Sequence, residues 1–169
     1  MRVLHVGAEI HPYVKTGGLA DVVHGLAREL SVRGHSVEVI LPRYDVMKFD
    51  RVWGYTKAFG DLWVPYHQHW VHCDVYFAHV DGIKCGFIEP HFFKNFFSRG
   101  LIYGHGDDAE RFAFFCKAAL EFLLKSGKHP DIIHAHDWQT ALVPVLLTEA
   151  YRGFGLTHPR SCFTLHNVA

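Results

Sequence analysis

An apolar strand at the start of the chain, followed by a glycine-rich turn and an amphipathic helix, limits the possible folds more than any other feature of this sequence. Val3-Leu4-His5-Val6-Gly7-Ala8 reads as a strand buried on both faces, the pattern of a parallel sheet. Lys15-Thr16-Gly17-Gly18-Leu19-Ala20-Asp21-Val22 supplies the turn and the helix start. Leu19, Val22, Val23, Leu26, Ala27 and Leu30 then recur at helical spacing and form one apolar stripe. Gly34 is a C-terminal stop. Val37, Val39, Ile40 and Leu41 make a second strand, closed by Pro42. A strand–helix–strand unit of this kind has a right-handed crossover between parallel strands. It commits the chain to the α/β class.

The turn also has chemical meaning. Glycine lets backbone approach a ligand closely. The first turn of a helix leaves its N–H groups unpaired, and the helix dipole favours negative charge there. Lys15 can add a full positive charge. Gly17 and Gly18 therefore point to a phosphate-bearing ligand, although local chemistry leaves a ligand-free tight turn equally open. The pattern is neither Gly-x-Gly-x-x-Gly nor Gly-x-x-x-x-Gly-Lys-Ser/Thr.

Charge narrows the partners. Lys plus Arg and Asp plus Glu number 17 each, so nothing at this level favours nucleic acid or an anionic membrane, and any anion site must be local. No apolar run approaches a membrane span in length. Met1 leads almost directly into the first strand, so no signal or transit peptide is expected. The chain has 169 residues, the size of one domain, and 49% of them are hydrophobic, enough for a packed core. Cys73, Cys85, Cys116 and Cys162 show no Cys-x-x-Cys spacing and read as buried, reduced thiols of a cytosol-like compartment.

The middle of the chain changes period. From about Trp53 to Pro90 the residues alternate as strands do, with Asp81-Gly82 as a hairpin signal and Ile83, Cys85, Phe87 and Ile88 as the returning strand. Residues 91–106 have no clear period and read as a long loop. Asp107 and Glu110 fit a capping box. The helix after them carries apolar residues over most of its circumference, from Phe112 to Leu123, and Gly127 stops it. Residues 131–135 make a short strand, residues 138–152 a helix made irregular by Pro144, and residues 161–165 another strand. That last strand should lead through His166-Asn167 into a further loop and helix. The chain reads as cut in mid-domain, with an unpaired sheet edge expected to promote self-association.

In an open parallel sheet, ligands bind beyond the carboxyl ends of the strands. Three signals collect there: the glycine turn, His136-Asp137-Trp138-Gln139 and His166-Asn167. His134 and His136, two apart on a strand, admit a metal-dependent hydrolase as an alternative, although no further ligand motif stands out. A serine hydrolase has no Gly-x-Ser-x-Gly elbow to rest on. Trp138 reads either as a core filler or as a stacking platform for a sugar ring. Tyr103 reads either as a loop anchor or as a second aromatic at the rim.

Taken together, Val3-Leu-His-Val-Gly-Ala-Glu9, Lys15-Thr-Gly-Gly-Leu-Ala-Asp-Val22, Asp107-Asp-Ala-Glu-Arg-Phe112, Asp131-Ile-Ile-His-Ala-His-Asp-Trp138 and Phe163-Thr-Leu-His-Asn167 resemble the bacterial glycogen synthases and plant starch synthases, glycosyltransferase family 5. Phe114 to Gly127 is most similar to the starch synthase III and IV branch. The resemblance implies a Rossmann-like, mostly parallel sheet with helices on both faces and an inserted β-hairpin region around 53–90. It implies that residues 1–169 are part of the N-terminal domain of a GT-B enzyme whose C-terminal domain lies elsewhere. The implied reaction is transfer of glucose from ADP-glucose to the non-reducing end of an α-1,4-glucan with retention, using no metal and no cofactor. By position, Lys15, Gly17, Gly18 and Asp21 would serve the nucleotide-sugar donor. His166 and Asp137 would be catalytic, and Tyr103, Trp138 and Asn167 would contact sugar. Gln139 stands where bacterial members commonly carry histidine. The implied partners are the nucleotide sugar and the glucan. The implied location is the cytoplasm of a bacterium or the plastid stroma of a plant or alga. A non-catalytic glucan- or nucleotide-binding module is the alternative.

Overall fold

A computed structural model describes residues 1–91 and 93–167. In chain order the elements are β1 (Arg2–Val6), α1 (Gly18–Val32), β2 (Ser36–Pro42), β3 (Trp53–Tyr66), β4 (His69–Val80), β5 (Ile83–Pro90), α2 (Asp108–Ser126), β6 (Ile132–His136), α3 (Leu142–Leu146) and β7 (Arg160–Thr164). The strands of the described residues form one seven-stranded sheet in the order β3-β4-β5-β2-β1-β6-β7. From β5 to β7 every pairing is parallel, while β3, β4 and β5 form an antiparallel meander on one side. The region 53–90 therefore extends the main sheet rather than standing apart from it. Asp81 and Gly82, both at positive φ, make the expected turn. The returning strand β5 is buried nearly throughout because it also pairs with β2, with Leu41 opposite Phe87.

The helices cover both faces. The chain steps from β1 to β2 in one direction along the sheet, and from β5 to β6 in the other. With right-handed crossovers, α1 and α2 lie on opposite faces. The α2 face is aromatic, with Phe122 edge-on to Phe59 and Phe77. Beneath Phe77 the sheet needs Gly86: a Cβ there would come 2.6 Å from Ile40 Cδ1 and 3.1 Å from the Phe77 ring.

Two local expectations fail. Asp107 does not cap α2 with its side chain. Its carboxylate is taken by Arg99 at 2.6 and 3.0 Å, and Glu110 pairs with Lys94 at 2.7 Å. A guanidinium fork on the adjoining loop outcompetes the capping amide, because a charge-assisted bidentate pair is the stronger interaction. Among the cysteines, Cys73, Cys85 and Cys116 are buried, with burial pushing each thiol pKa up, but Cys162 lies exposed on the edge strand β7.

The other signals hold. Gly127 ends α2 in the left-handed conformation, at φ 66°. Pro144 falls within a broken segment: a 3-10 turn at Trp138–Thr140, the short α3, then a π turn at Leu147–Tyr151. Proline has no N–H to continue a regular ladder. The 91–106 stretch has no strand or helix among its described residues, and Phe96, Phe97 and Ile102 anchor it in the core. The helix expected beyond Asn167 lies outside the described residues. None of the described helices is long and apolar enough to cross a membrane.

Candidate functional site

The strand order brings the carboxyl ends of β1, β6 and β7 side by side. The glycine turn, the Asp137-Trp138 turn and the His166-Asn167 segment therefore meet. Gly17, Gly18, Asp137, Trp138, His166 and Asn167 line one cleft of about 730 Å³, with Glu9 and Tyr103 along its wall. Gly17 and Gly18 do not have positive φ, and a Cβ on either would meet nothing within 4 Å. Nothing among the described residues demands glycine at these positions. The space a side chain would occupy is open, as a ligand-facing turn requires.

Glu9, only 2% exposed, shapes this turn. Its carboxylate accepts the Thr16 amide at 2.6 Å, the Gly17 amide at 3.3 Å and the Thr16 hydroxyl at 2.9 Å. It also accepts the Tyr103 hydroxyl at 2.6 Å. An internal anion thus holds the first amides, leaving those from Gly18 onward for an external one. Burial first, then Tyr44 and the bond to Glu9, pushes the Tyr103 phenol far above its usual range. Tyr103 is a loop anchor whose ring edge reaches the cleft, with its centroid 6.2 Å from Trp138. Trp138 is 48% exposed and packs edge-on against Phe112, so its outer face is open to the cleft.

Lys15 and Asp21 stand apart from this wall. The Lys15 ammonium lies 2.7 and 2.8 Å from the two Asp21 oxygens. That hydrogen bond holds the Asp21 carboxyl below the usual carboxylate range. The two residues expected on the donor side are paired with each other.

Asp137 has φ 61° and ψ −178°. This region of backbone space is normally left to glycine and costs a side-chain-bearing residue about 1–3 kcal/mol. The conformation aims the Asp137 carboxylate at the next strand's exit, where Oδ1 accepts the amides of His166 at 3.1 Å and Asn167 at 3.4 Å. Asp137 thus holds the imidazole segment in place. Asp137→Ala keeps the strain and loses the charged acceptor, so urea denaturation should show a loss of about 2–3 kcal/mol. Asp137→Gly loses the acceptor but relieves the strain, and should stay within about 1 kcal/mol of the parent. Equal losses in the two variants would mean that residue 137 is unstrained.

Behind His166 runs a file of imidazoles. His136 Nδ1 lies 3.0 Å from His166 Nε2, and His136 Nε2 lies 2.9 Å from His5 Nδ1. His134 stacks on His136 at 4.0 Å and bonds Thr164 through Nε2. Burial, and after it the neighbouring imidazoles, lowers the His136 pKa to about 2 and that of His5 to about 4. His5, His134 and His136 offer nitrogens within 4.8 Å of one another. Both nitrogens of His136 are engaged by other rings.

Sequence reasoning assigned no role to Glu9 or His5. The signal available for each was a polar side chain within an otherwise buried stretch.

A largely parallel sheet covered by helices on both faces, with its cleft at the carboxyl ends of β1, β6 and β7, is a Rossmann-like sheet of the GT-B type. The chain belongs to the starch synthase catalytic domain family, whose model matches residues 2–169. It is 59% identical over 168 residues to glycogen synthase 1 of Nitrosococcus oceani, covering 99% of this chain and 34% of that protein. It is 60% identical over 164 residues to glycogen synthase 2 of Methylococcus capsulatus, covering 97% of this chain and 34% of that protein. The catalytic domain of starch synthase IV from Arabidopsis thaliana, solved bound to ADP and acarbose, superimposes with a TM-score of 0.96 at 46% identity, covering 98% of this chain and 34% of that one. The chain thus spans about a third of the length of these relatives.

Proposed function

We propose that this chain forms one wall of the active site of a retaining glucosyltransferase that moves glucose from ADP-glucose to the non-reducing end of an α-1,4-glucan. The observation that carries this reading is the meeting of Gly17, Gly18, His166 and Asn167 in one cleft. Amides from Gly18 onward, at the start of α1, stabilise the charge that develops on the departing diphosphate. His166 and Asn167 sit across the cleft, where the transferred glucose lies against the diphosphate. Asp137 acts through them by holding their amides. Trp138 offers its open face to a sugar ring. Lys15 joins the donor's phosphates by leaving Asp21, which serves the donor from the same turn. The reaction needs neither a metal nor a further cofactor. The protein works in the cytoplasm of a bacterium, or in the plastid stroma if it comes from a plant or alga.

The test is incorporation of radiolabelled glucose from ADP-glucose into glycogen. The full-length protein should incorporate label, and this chain alone should not, because the remaining groups lie outside it. His166→Ala in the full-length protein should lower kcat by roughly 10²–10³-fold, the scale of losing one well-placed polar group at a site of developing charge. No incorporation from any nucleotide sugar would refute the assignment. Saturable quenching of Trp fluorescence by maltooligosaccharides, abolished in Trp138→Ala and without transfer, would identify a binding module instead.

A further inference from the structure

We infer that His5, His136 and His166 form one hydrogen-bonded unit in which the tautomer that His166 presents to the cleft is tied to that of the two buried rings, making His5 and His136 positioning residues. The inference follows from counting protons. A neutral imidazole carries one N–H and one bare nitrogen. His136 lies between two other imidazoles, with Nε2 at 2.9 Å from His5 Nδ1 and Nδ1 at 3.0 Å from His166 Nε2. Each contact needs one donor and one acceptor. If His5 donates from Nδ1, His136 must also carry its proton on Nδ1, and so must His166. If His166 donates from Nε2, the other two must be protonated on Nε2. No mixed arrangement satisfies both contacts, so the three rings share a single tautomer.

The surroundings keep the rings neutral and in place. His5 and His136 are fully buried, and burial disfavours an imidazolium on either. The His136 amide is held by the Thr140 hydroxyl at 2.7 Å. The His136 and His166 rings lie nearly parallel, at 9°. At the inner end, His5 Nε2 is buried with no hydrogen-bond partner among the described residues, so the file ends there. At the outer end the file opens on the cleft, where His166 offers either an N–H or a bare nitrogen in step with the two rings behind it. The same logic governs metal-bound histidines, whose second nitrogen is fixed by a partner behind the ring.

The functional consequence rests on the proposed role of His166, but the tautomer lock can be read without sugar or catalysis. Long-range proton–nitrogen NMR correlation on the ¹⁵N-labelled chain at neutral pH distinguishes protonated from bare ring nitrogens. Expected are three neutral rings in one tautomer, assigned with the help of His166→Ala, which alters an exposed position. His5→Phe keeps the ring volume and removes the inner partner. His166, which does not touch residue 5, should then change from a single tautomer to an averaged pair of signals. In the full-length enzyme, His5→Phe should lower kcat about tenfold at unchanged KM, the scale seen when the group behind a functional imidazole is removed. Different tautomers on His5 and His136, or a His166 spectrum unaltered by His5→Phe, would overturn the inference. If His5→Phe does not fold, the pattern in the unaltered chain still decides it. Loss of transfer activity in the full-length parent would count against the proposed function and leave the tautomer result standing.

Discussion

Acidification from about pH 7.5 to about pH 5 should cost the folded chain on the order of 4 kcal/mol, a large part of the 5–15 kcal/mol that holds a typical domain together. The cause is the pair of fully buried imidazoles. In the unfolded chain each takes a proton near pH 6.5, whereas in the folded chain His5 resists until about 4 and His136 until about 2. Below 6.5 the unfolded state binds more protons, so stability must fall as pH falls. The stability each neutral ring contributes is present in full above 6.5 and is lost at ~1.4 kcal/mol per pH unit through the window down to its folded pKa. The depressed carboxyls act elsewhere. Asp21, Asp74, Asp107 and Asp131 lose their contributions only as pH drops below their ordinary value of 3.8. The interval from 6.5 to 5 therefore isolates the histidines. Urea midpoints across that interval should fall at least as steeply as two buried histidines require, with His134, whose pKa burial also lowers, adding to the slope, and His5→Phe should remove one ring's share. A flat profile would show that these rings are hydrated or paired with an anion in the folded state.

The unequal success of sequence reading has a physical explanation. The first strand, the glycine turn and α1 were legible because their signals are local: hydrophobic period, a bare turn and a stop at Gly34, which has φ 85°. Asp81-Gly82 and Gly127 were legible for the same reason. Failures came where a distant partner decides. A capping box at Asp107 is a correct local pattern, yet Arg99 reaches the carboxylate first. The imidazole file depends on register, with His5 opposite His134 across β1 and β6, and Thr164 opposite His136 across β6 and β7. No spacing within one segment reveals it. Glu9 stands out only as a polar residue in an apolar stretch: its role exists only once the turn folds back over it and Tyr103 arrives from a loop 94 residues away. The strained backbone at Asp137 accompanies bonds to amides 29 and 30 residues further along the chain, which no local pattern announces.

That loop leads to the second large effect, centred on Arg111. Its side chain is wholly buried in α2, with the guanidinium lying 5.4 and 5.5 Å from the Phe97 and Phe112 ring centroids. It donates to the Phe96 carbonyl, to the Ile102 carbonyl at 3.2 Å and to the Asp108 carboxylate. One cation thus satisfies two backbone carbonyls of a stretch that has no regular ladder to satisfy them. Arg111→Met keeps much of the volume but strands those acceptors and an acidic partner. The expected loss is about 3–5 kcal/mol, or a fall in Tm of roughly 10 °C for a chain of this size. Arg111→Lys should recover only part of it, because one ammonium cannot reproduce a planar fork. The site should feel the change through Tyr103, whose hold on Glu9 depends on the loop's position. Limited trypsin digestion gives a local readout: Lys94 and Arg99, both held in ion pairs with α2 and its N-terminal flank, become cleavable when the loop is released. If Arg111→Met melts within about 1 kcal/mol of the parent and resists trypsin, the aromatic packing of Phe96 and Phe97 fixes the loop without the cation.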